Sequence, residues 1–159
     1  MNAIVKQLEQ GLIVSCQALE GEPLYGSHYM AAMALAAQAG GAKGIRVNTA
    51  QDIKAIKKVC SLPVIGIVKR HYPGYDVYIT STMAEVCEVI EAGADIVAVD
   101  ATIRPRPDGS SVKELLNRIR DRFQIPVMAD VSNLEEGIEA ARAGFDLVST
   151  TLAGYHTAP

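Results

Sequence analysis

The chain has 159 residues, 49% of them hydrophobic, and a formal net charge of −3. A chain of this length can bury one sizeable core, so we expect a single domain over residues 1–159. The mildly acidic balance, without a cluster rich in lysine and arginine, argues against nucleic-acid partners, and no apolar stretch approaches the ~20 residues that span a membrane.

Short apolar runs alternate with amphipathic stretches along the chain, which is typical of parallel strands joined by helices. The clearest helix is predicted at 111–123, where apolar residues recur every three or four positions and form one buried stripe. Glycines at 39–42, 92–95 and 143–146 are expected to end three helices in the left-handed conformation. Strands are predicted at 12–16, 44–47, 64–68, 96–99, 127–129 and 147–149.

Two closures of such a sheet fit this alternation, an open doubly wound sheet and a (β/α)8 barrel. The open sheet usually carries the glycine-rich phosphate loop GxGxxG after its first strand, but this chain has SCQALEG there. A barrel enzyme instead carries polar side chains at the carboxyl ends of many strands. The chain does so at Gln17, Arg46, Lys69, Asp100, Asp130, Thr150 and Thr151. We therefore predict an α/β fold of the (β/α)8 TIM-barrel type.

The number of strands falls short of this barrel, which typically needs roughly 250 residues and at least about 200. We expect a barrel truncated after about six βα units rather than an unusual six-stranded variant. We favour the fragment because six parallel strands without closure would leave two apolar edges open to association. The sequence leaves the oligomeric state open, and a homo-oligomer is one expectation. On this view the chain alone is catalytically inactive and not stably folded as a monomer.

Cysteine usage and the first residues indicate the compartment. The three cysteines, at 16, 60 and 87, include no CxxC pair and cannot all be bridged, which favours reduced thiols in the cytoplasm. The opening residues MNAIVKQLEQ lack the apolar centre and cleavage site of a signal peptide. The scattered cysteines and histidines lack the spacing of a structural zinc site, so no metal is expected. We expect the three histidines to be exposed rather than catalytic, because the sequence spacing indicates no catalytic partner for any of them. They are His28, His71 and His156.

The stretch PVIGIVKRHY, residues 63–72, places two cations at the end of a strand that is suited to a dry interior. Because side chains alternate along a strand, only one of Lys69 and Arg70 can face the barrel mouth. Lys69 is a candidate acid/base or Schiff-base residue, and a surface anchor is the alternative. As a base it needs a pKa lowered from about 10.4 to about 7–8. Arg46 would lower this pKa and Asp130 would raise it, and the balance between them stays open.

Other strand-end residues also have two readings. Gln17 can orient a sugar hydroxyl or serve as a buried, satisfied amide. Asp100 and Asp130 can belong to the site, or they can cap a helix or pair with a lysine.

The segments GLIVSCQ (11–17), GIVKR (66–70) and TTLAGY (150–155) occur in order, together with Ile45–Arg46, the Asp100 segment VDAT and MAD at 128–130. Over about residues 11–155 the chain resembles the bacterial N-acetylmannosamine-6-phosphate 2-epimerases of sialic acid catabolism. The resemblance implies a (β/α)8 barrel isomerase that interconverts N-acetylmannosamine 6-phosphate and N-acetylglucosamine 6-phosphate. It also implies a small sugar phosphate as the partner, and neither metal nor nucleotide as cofactor.

By the same resemblance, Lys69 exchanges the proton on the carbon beside the aldehyde. Gln17, Arg46 and Asp130 would hold the open-chain sugar and the developing enolate-like charge. His71 stands where family members tend to have aspartate, and the family's catalytic glutamate and phosphate loops lie on the last two strands. Two alternatives remain: a Schiff-base lysine aldolase, and a non-catalytic sugar-phosphate-binding barrel.

Overall fold

A computed structural model describes residues 2–155, in which six parallel strands lie side by side in chain order. Each strand lies within one residue of its predicted stretch, and the α/β fold of the truncated barrel type is confirmed. His156 lies outside the described residues. The strands are β1 (Ile13–Cys16), β2 (Gly44–Asn48), β3 (Val64–Ile67), β4 (Ile96–Asp100), β5 (Val127–Asp130) and β6 (Leu147–Ser149).

Helices precede and join these strands. The predicted helix at 111–123 is confirmed as α5, which Ser111 and Glu114 start with a capping box. The three glycine-ended helices are also confirmed, since Gly41, Gly93 and Gly144 have φ angles of 90°, 96° and 93°. The helices are α1 (Ala3–Gln7), α2 (Ser27–Ala39), α3 (Ala50–Lys57), α4 (Met83–Glu91), α5 (Val112–Arg122) and α6 (Leu134–Ala143). No helix within residues 2–155 is long and apolar enough to cross a membrane.

The four central strands, β2 to β5, are buried on both faces, which explains why they read as continuous apolar runs. The edge strands β1 and β6 are partly exposed. On the outer face, residues such as Ile45, Val47 and Val97 pack against the helices in a large cluster. A smaller cluster fills the inner face, where the chain just after α1 contributes Leu8. The strands contribute Ile65, Ile67, Ile96, Ala98 and Met128 to this inner cluster.

The sheet is strongly curled toward its inner face. Arg46 on β2 and Asp130 on β5 lie three strands apart, about 14 Å across a flat sheet at ~4.8 Å per strand. Their side chains nevertheless meet at 2.5 Å. The six strands therefore curve like the wall of a barrel, and their carboxyl ends converge on the inner face.

The segment that follows β3 folds back onto the end of that strand; we call residues 69–82 the β3–α4 loop. Lys69 forms an isolated antiparallel bridge with Ile79, and the Thr80 amide donates to the Val68 carbonyl at 2.8 Å. On its other side, the Ile79 carbonyl accepts a hydrogen bond from the Asp100 amide at 2.8 Å. The end of this loop is therefore wedged between the carboxyl ends of β3 and β4.

Gly66 on β3 marks a close approach between the sheet and the helices. A Cβ atom there would lie 2.6 Å from Cγ1 of Val89, 2.8 Å from the Ala94 Cβ and 2.8 Å from Cδ1 of Ile53. We expect Gly66→Ala to lower the free energy of unfolding by about 1–3 kcal/mol, because the packed core must shift to accept a methyl group. Denaturant unfolding measures this effect.

Gly137 in α6 provides the matched control for this substitution. A Cβ at Gly137 meets Val148 at an ordinary 3.7 Å. Gly137→Ala should therefore be neutral or stabilising by up to about 1 kcal/mol, the difference in helix propensity. Equal stabilities for the two alanine variants would show that Gly66 is not required for packing.

Candidate active site

The strand-end residues singled out from the sequence lie at the carboxyl end of the curled inner face. Arg46 and Asp130 are in direct contact, and Lys69 lies close enough to both that their charges affect its pKa. Gln17 is the residue after β1, the strand that pairs with β2. Its side-chain Nε2 donates to the Ser15 hydroxyl at 2.8 Å. The Gln17 Oε1 is buried and accepts no hydrogen bond from the described residues.

Arg46 and Asp130 form a bidentate ion pair across the inner face. The guanidinium nitrogens lie 3.1 Å and 2.5 Å from the two carboxylate oxygens, and the Thr151 hydroxyl donates to Asp130 at 3.0 Å. The Asp130 side chain is 0% exposed and that of Arg46 is 11% exposed. Burial raises the pKa of Asp130, while Arg46 and Thr151 oppose this shift. The pair fixes a largely desolvated guanidinium in the middle of the site.

Lys69 is partly buried at the end of β3, and its backbone amide donates to the Asn48 side-chain oxygen at 2.9 Å. Burial lowers the pKa of Lys69, and the positive charge of Arg46 lowers it further. Glu22 and Asp130 act in the opposite direction without reversing the shift. The balance that the sequence leaves open therefore falls on the side that a lysine base requires.

Arg70, the second cation of the pair, points to a different neighbour. Its guanidinium donates to Glu85 at 2.6 Å and to Glu88 at 2.8 Å, both on α4. The prediction that Lys69 and Arg70 face different sides is thus confirmed. Arg70 binds acidic residues of α4. Lys69, and not Arg70, is therefore the cation that belongs to the site on the inner face.

Asp100 lies beside Asp130 in the β4–β5 register, but its side chain bonds locally. It is fully buried and accepts hydrogen bonds from the Thr102 amide at 3.0 Å and the Thr102 hydroxyl at 2.7 Å. Arg104 lies 3.7 Å from its other oxygen. Asp100 therefore forms a local turn at the start of the β4–α5 connection.

Two groups at the site escaped the sequence analysis. Glu22, in the connection between β1 and α2, is close enough to raise the pKa of Lys69. Tyr78 packs against the inner cluster and stacks on His71, with ring centroids 5.6 Å apart at an angle of 15°. Both residues lie in loops without a periodic pattern, so only the folded chain brings them to the strand ends.

This arrangement suits the removal of a proton from carbon. An amine with a lowered pKa can accept a proton, and a fixed guanidinium beside it can stabilise an oxygen that becomes negative. Within residues 2–155 no group of three or more histidine, cysteine or acidic side chains is arranged to hold a metal ion.

Comparison with known proteins gives consistent matches. A family model described as "Putative N-acetylmannosamine-6-phosphate epimerase" matches residues 30–159. Proteins named "Putative N-acetylmannosamine-6-phosphate 2-epimerase" from Caldanaerobacter subterraneus subsp. tengcongensis and Shouchella clausii are 60% and 57% identical over 96% and 98% of this chain. The solved N-acetylmannosamine-6-phosphate 2-epimerase from Clostridium perfringens is 48% identical over 98% of this chain, with a TM-score of 0.93.

The matches extend over only part of each relative. The chain covers 65% of the Caldanaerobacter protein, 68% of the Shouchella protein and 67% of the solved Clostridium chain. It thus spans about two thirds of the length of these proteins.

Proposed function

The chain belongs to the N-acetylmannosamine-6-phosphate epimerase family, and on this premise we propose that it interconverts N-acetylmannosamine 6-phosphate and N-acetylglucosamine 6-phosphate. The two sugars differ in configuration at the carbon next to the aldehyde, so the reaction exchanges one proton there. The resemblance to this epimerase family is confirmed by the family matches. We place the reaction in the cytoplasm, in the breakdown of sialic acid and other amino sugars.

The observation that carries the proposal is the partly buried Lys69 at the end of β3, whose pKa is lowered by burial and by the charge of Arg46. In the open-chain sugar, the neutral amine takes the proton from the carbon next to the aldehyde. The electron pair of the broken C–H bond moves to the carbonyl oxygen as an enolate forms. A proton that comes from water then adds to the opposite face of that carbon and gives the other epimer. The Lys69 ammonium returns its proton to water, so no atom or electron is gained or lost overall.

The neighbouring residues have distinct roles in this proposal. Arg46, oriented by Asp130, stabilises the negative oxygen as it develops. The buried Oε1 of Gln17 accepts a hydrogen bond from a sugar hydroxyl, which would supply the partner that this oxygen lacks among the described residues.

Proton NMR in D2O tests the function. Because the chain alone is expected to be inactive, the assay uses a chimera in which residues 2–155 replace the matching part of the Clostridium perfringens enzyme. This chain covers 67% of that enzyme. With N-acetylmannosamine 6-phosphate as substrate, we expect the chimera to form N-acetylglucosamine 6-phosphate with deuterium at the carbon beside the aldehyde. Epimer formation without deuterium uptake would exclude exchange of this proton with solvent.

A further inference from the structure

One buried carboxylate outside the inner site ties together the two ends of the loop that begins with Lys69. Glu85, in the first turn of α4, is 0% exposed. One of its oxygens accepts hydrogen bonds from Arg70, at 2.6 Å, and from the Tyr72 hydroxyl. The other oxygen accepts from the Thr82 amide and the Thr82 hydroxyl, each at 2.8 Å. We call these four hydrogen bonds the Glu85 clasp.

The clasp joins residues far apart in the loop. Arg70 and Tyr72 lie one and three residues after Lys69, whereas Thr82 is the last residue before α4. Burial opposes ionisation of Glu85, but its hydrogen bonds from Tyr72, Thr82 and Arg70 outweigh burial and lower its pKa, so the carboxylate is ionised at neutral pH. Each oxygen of the Glu85 carboxylate therefore binds one end of the loop through charge-assisted hydrogen bonds.

The backbone carries this constraint to the lysine. Between the two clasped ends, the Arg70 amide donates to the Tyr78 carbonyl at 2.9 Å and Lys69 pairs with Ile79. Thr80 has a φ of 45°, which is rare for a β-branched residue, and its hydroxyl accepts from the Val68 amide at 3.1 Å. A backbone held in such a conformation persists only where surrounding contacts fix it.

We propose that Glu85 is a positioning residue for Lys69, which holds the two ends of the β3–α4 loop together so that the amine stays on the inner face. Glu85 touches neither the inner site nor any of its residues directly. The inference rests on the proposed role of Lys69, but its test measures the position of the amine and not turnover. A failed epimerase assay would therefore leave the test of the clasp unaffected.

The test measures the pKa of Lys69 by NMR in protein labelled with 13C at the lysine Cε, the signal being assigned by its absence from Lys69→Met. The charged groups that affect this amine are Arg46 on β2, Glu22 after β1 and Asp130 on β5, and none of them is changed. In Glu85→Gln the amide cannot accept from Arg70, Tyr72 and Thr82 as the carboxylate does. We expect the loop to open and the pKa of Lys69 to rise toward about 10.4, the value for a solvated lysine.

The direction of this shift separates positioning from simple electrostatics. Removing a negative charge near a lysine lowers its pKa, because the ammonium form loses an attractive neighbour. A rise in Glu85→Gln thus requires that the amine gain solvent. Glu88→Gln is the matched charge control, since it removes the other acidic partner of Arg70 and leaves the clasp intact. The pKa of Lys69 should not rise in this control.

A second control separates positioning from helix capping. Glu114 forms the same capping box on α5 that Glu85 forms on α4, without contact to the β3–α4 loop. Glu114→Gln should lower the thermal midpoint and leave the Lys69 titration unchanged.

If Glu85→Gln fails to fold, Tyr72→Phe carries the test, since it removes one hydrogen bond of the clasp and no charge. We then expect a smaller rise in the same direction. A folded variant of either kind in which Lys69 titrates as in the wild type would overturn the proposal.

Discussion

Lys69→Met is expected to slow deuterium uptake and epimer formation by about 10²–10⁴-fold or more, the typical contribution of a general acid–base group. Methionine has a similar length to lysine but cannot accept a proton. The same variant should not lose stability, because it removes an ammonium group whose charged form is disfavoured by burial in the folded protein. Lost activity together with an unchanged or higher thermal midpoint would identify the amine as the reacting group.

The matched control is Lys54→Met on the exposed side of α3, which should leave both rate and stability near the wild type. The rates are measured by NMR in D2O in the chimera with the Clostridium perfringens enzyme. If Lys69→Met exchanges the proton as fast as Lys54→Met does, another group must act as the base, and the assignment of Lys69 is wrong.

The pH dependence of stability provides a separate check on the lowered pKa of Lys69. A lysine whose folded-state pKa lies below its unfolded value of about 10.4 binds fewer protons when folded, between these two pKa values. In that window stability rises with pH, and below the folded-state pKa the cost of the buried charge is present in full. The difference in unfolding free energy between the wild type and Lys69→Met should follow this pattern across a pH series, with the wild type gaining on the variant as the pH rises.

Strands and helices could be predicted from the sequence because their signals are local. Val64–Ile67 is apolar on both faces since it is buried on both, and the stripe of α5 covers one side of a helix. The polar strand ends could also be predicted, because parallel strands place their carboxyl ends at one edge. These features follow from the periodicity of the sequence and from the parallel order of the strands.

The contacts within the site depend on distances that periodicity does not contain. Arg46 and Asp130 are 84 residues apart in the chain, and only the curl of the sheet brings them together. Glu85 completes the capping box of α4 with one oxygen, and its other oxygen binds Arg70 and Tyr72 in the preceding loop. The direction in which the pKa of Lys69 shifts could not be predicted for the same reason. It depends on the burial of Lys69 and on its distances from Arg46, Glu22 and Asp130.

Breaking the Arg46–Asp130 pair is expected to have the largest effect on stability. Arg46→Met leaves the Asp130 carboxylate buried, with Thr151 as the one described side chain that still donates to it. Removing one partner of a buried ion pair typically costs about 3–5 kcal/mol, because the remaining charge is desolvated and uncompensated. Denaturant unfolding of the chimera with the Clostridium perfringens enzyme should show a loss of this size. Arg142→Met, which breaks an ion pair with Glu139 whose side chains are 72% and 71% exposed, should cost at most about 1 kcal/mol.

The double variant Arg46→Met/Asp130→Leu separates the structural from the chemical role of the pair. With both charges replaced by apolar side chains, no ion remains unpaired, so most of the stability lost in Arg46→Met should return. Activity should not return, because the guanidinium that stabilises the negative oxygen is still absent. A double variant that regains stability and epimerase activity together would show that Arg46 serves the fold alone. If it stays as unstable as Arg46→Met, the cost comes from lost packing around the arginine and not from an unpaired Asp130 carboxylate.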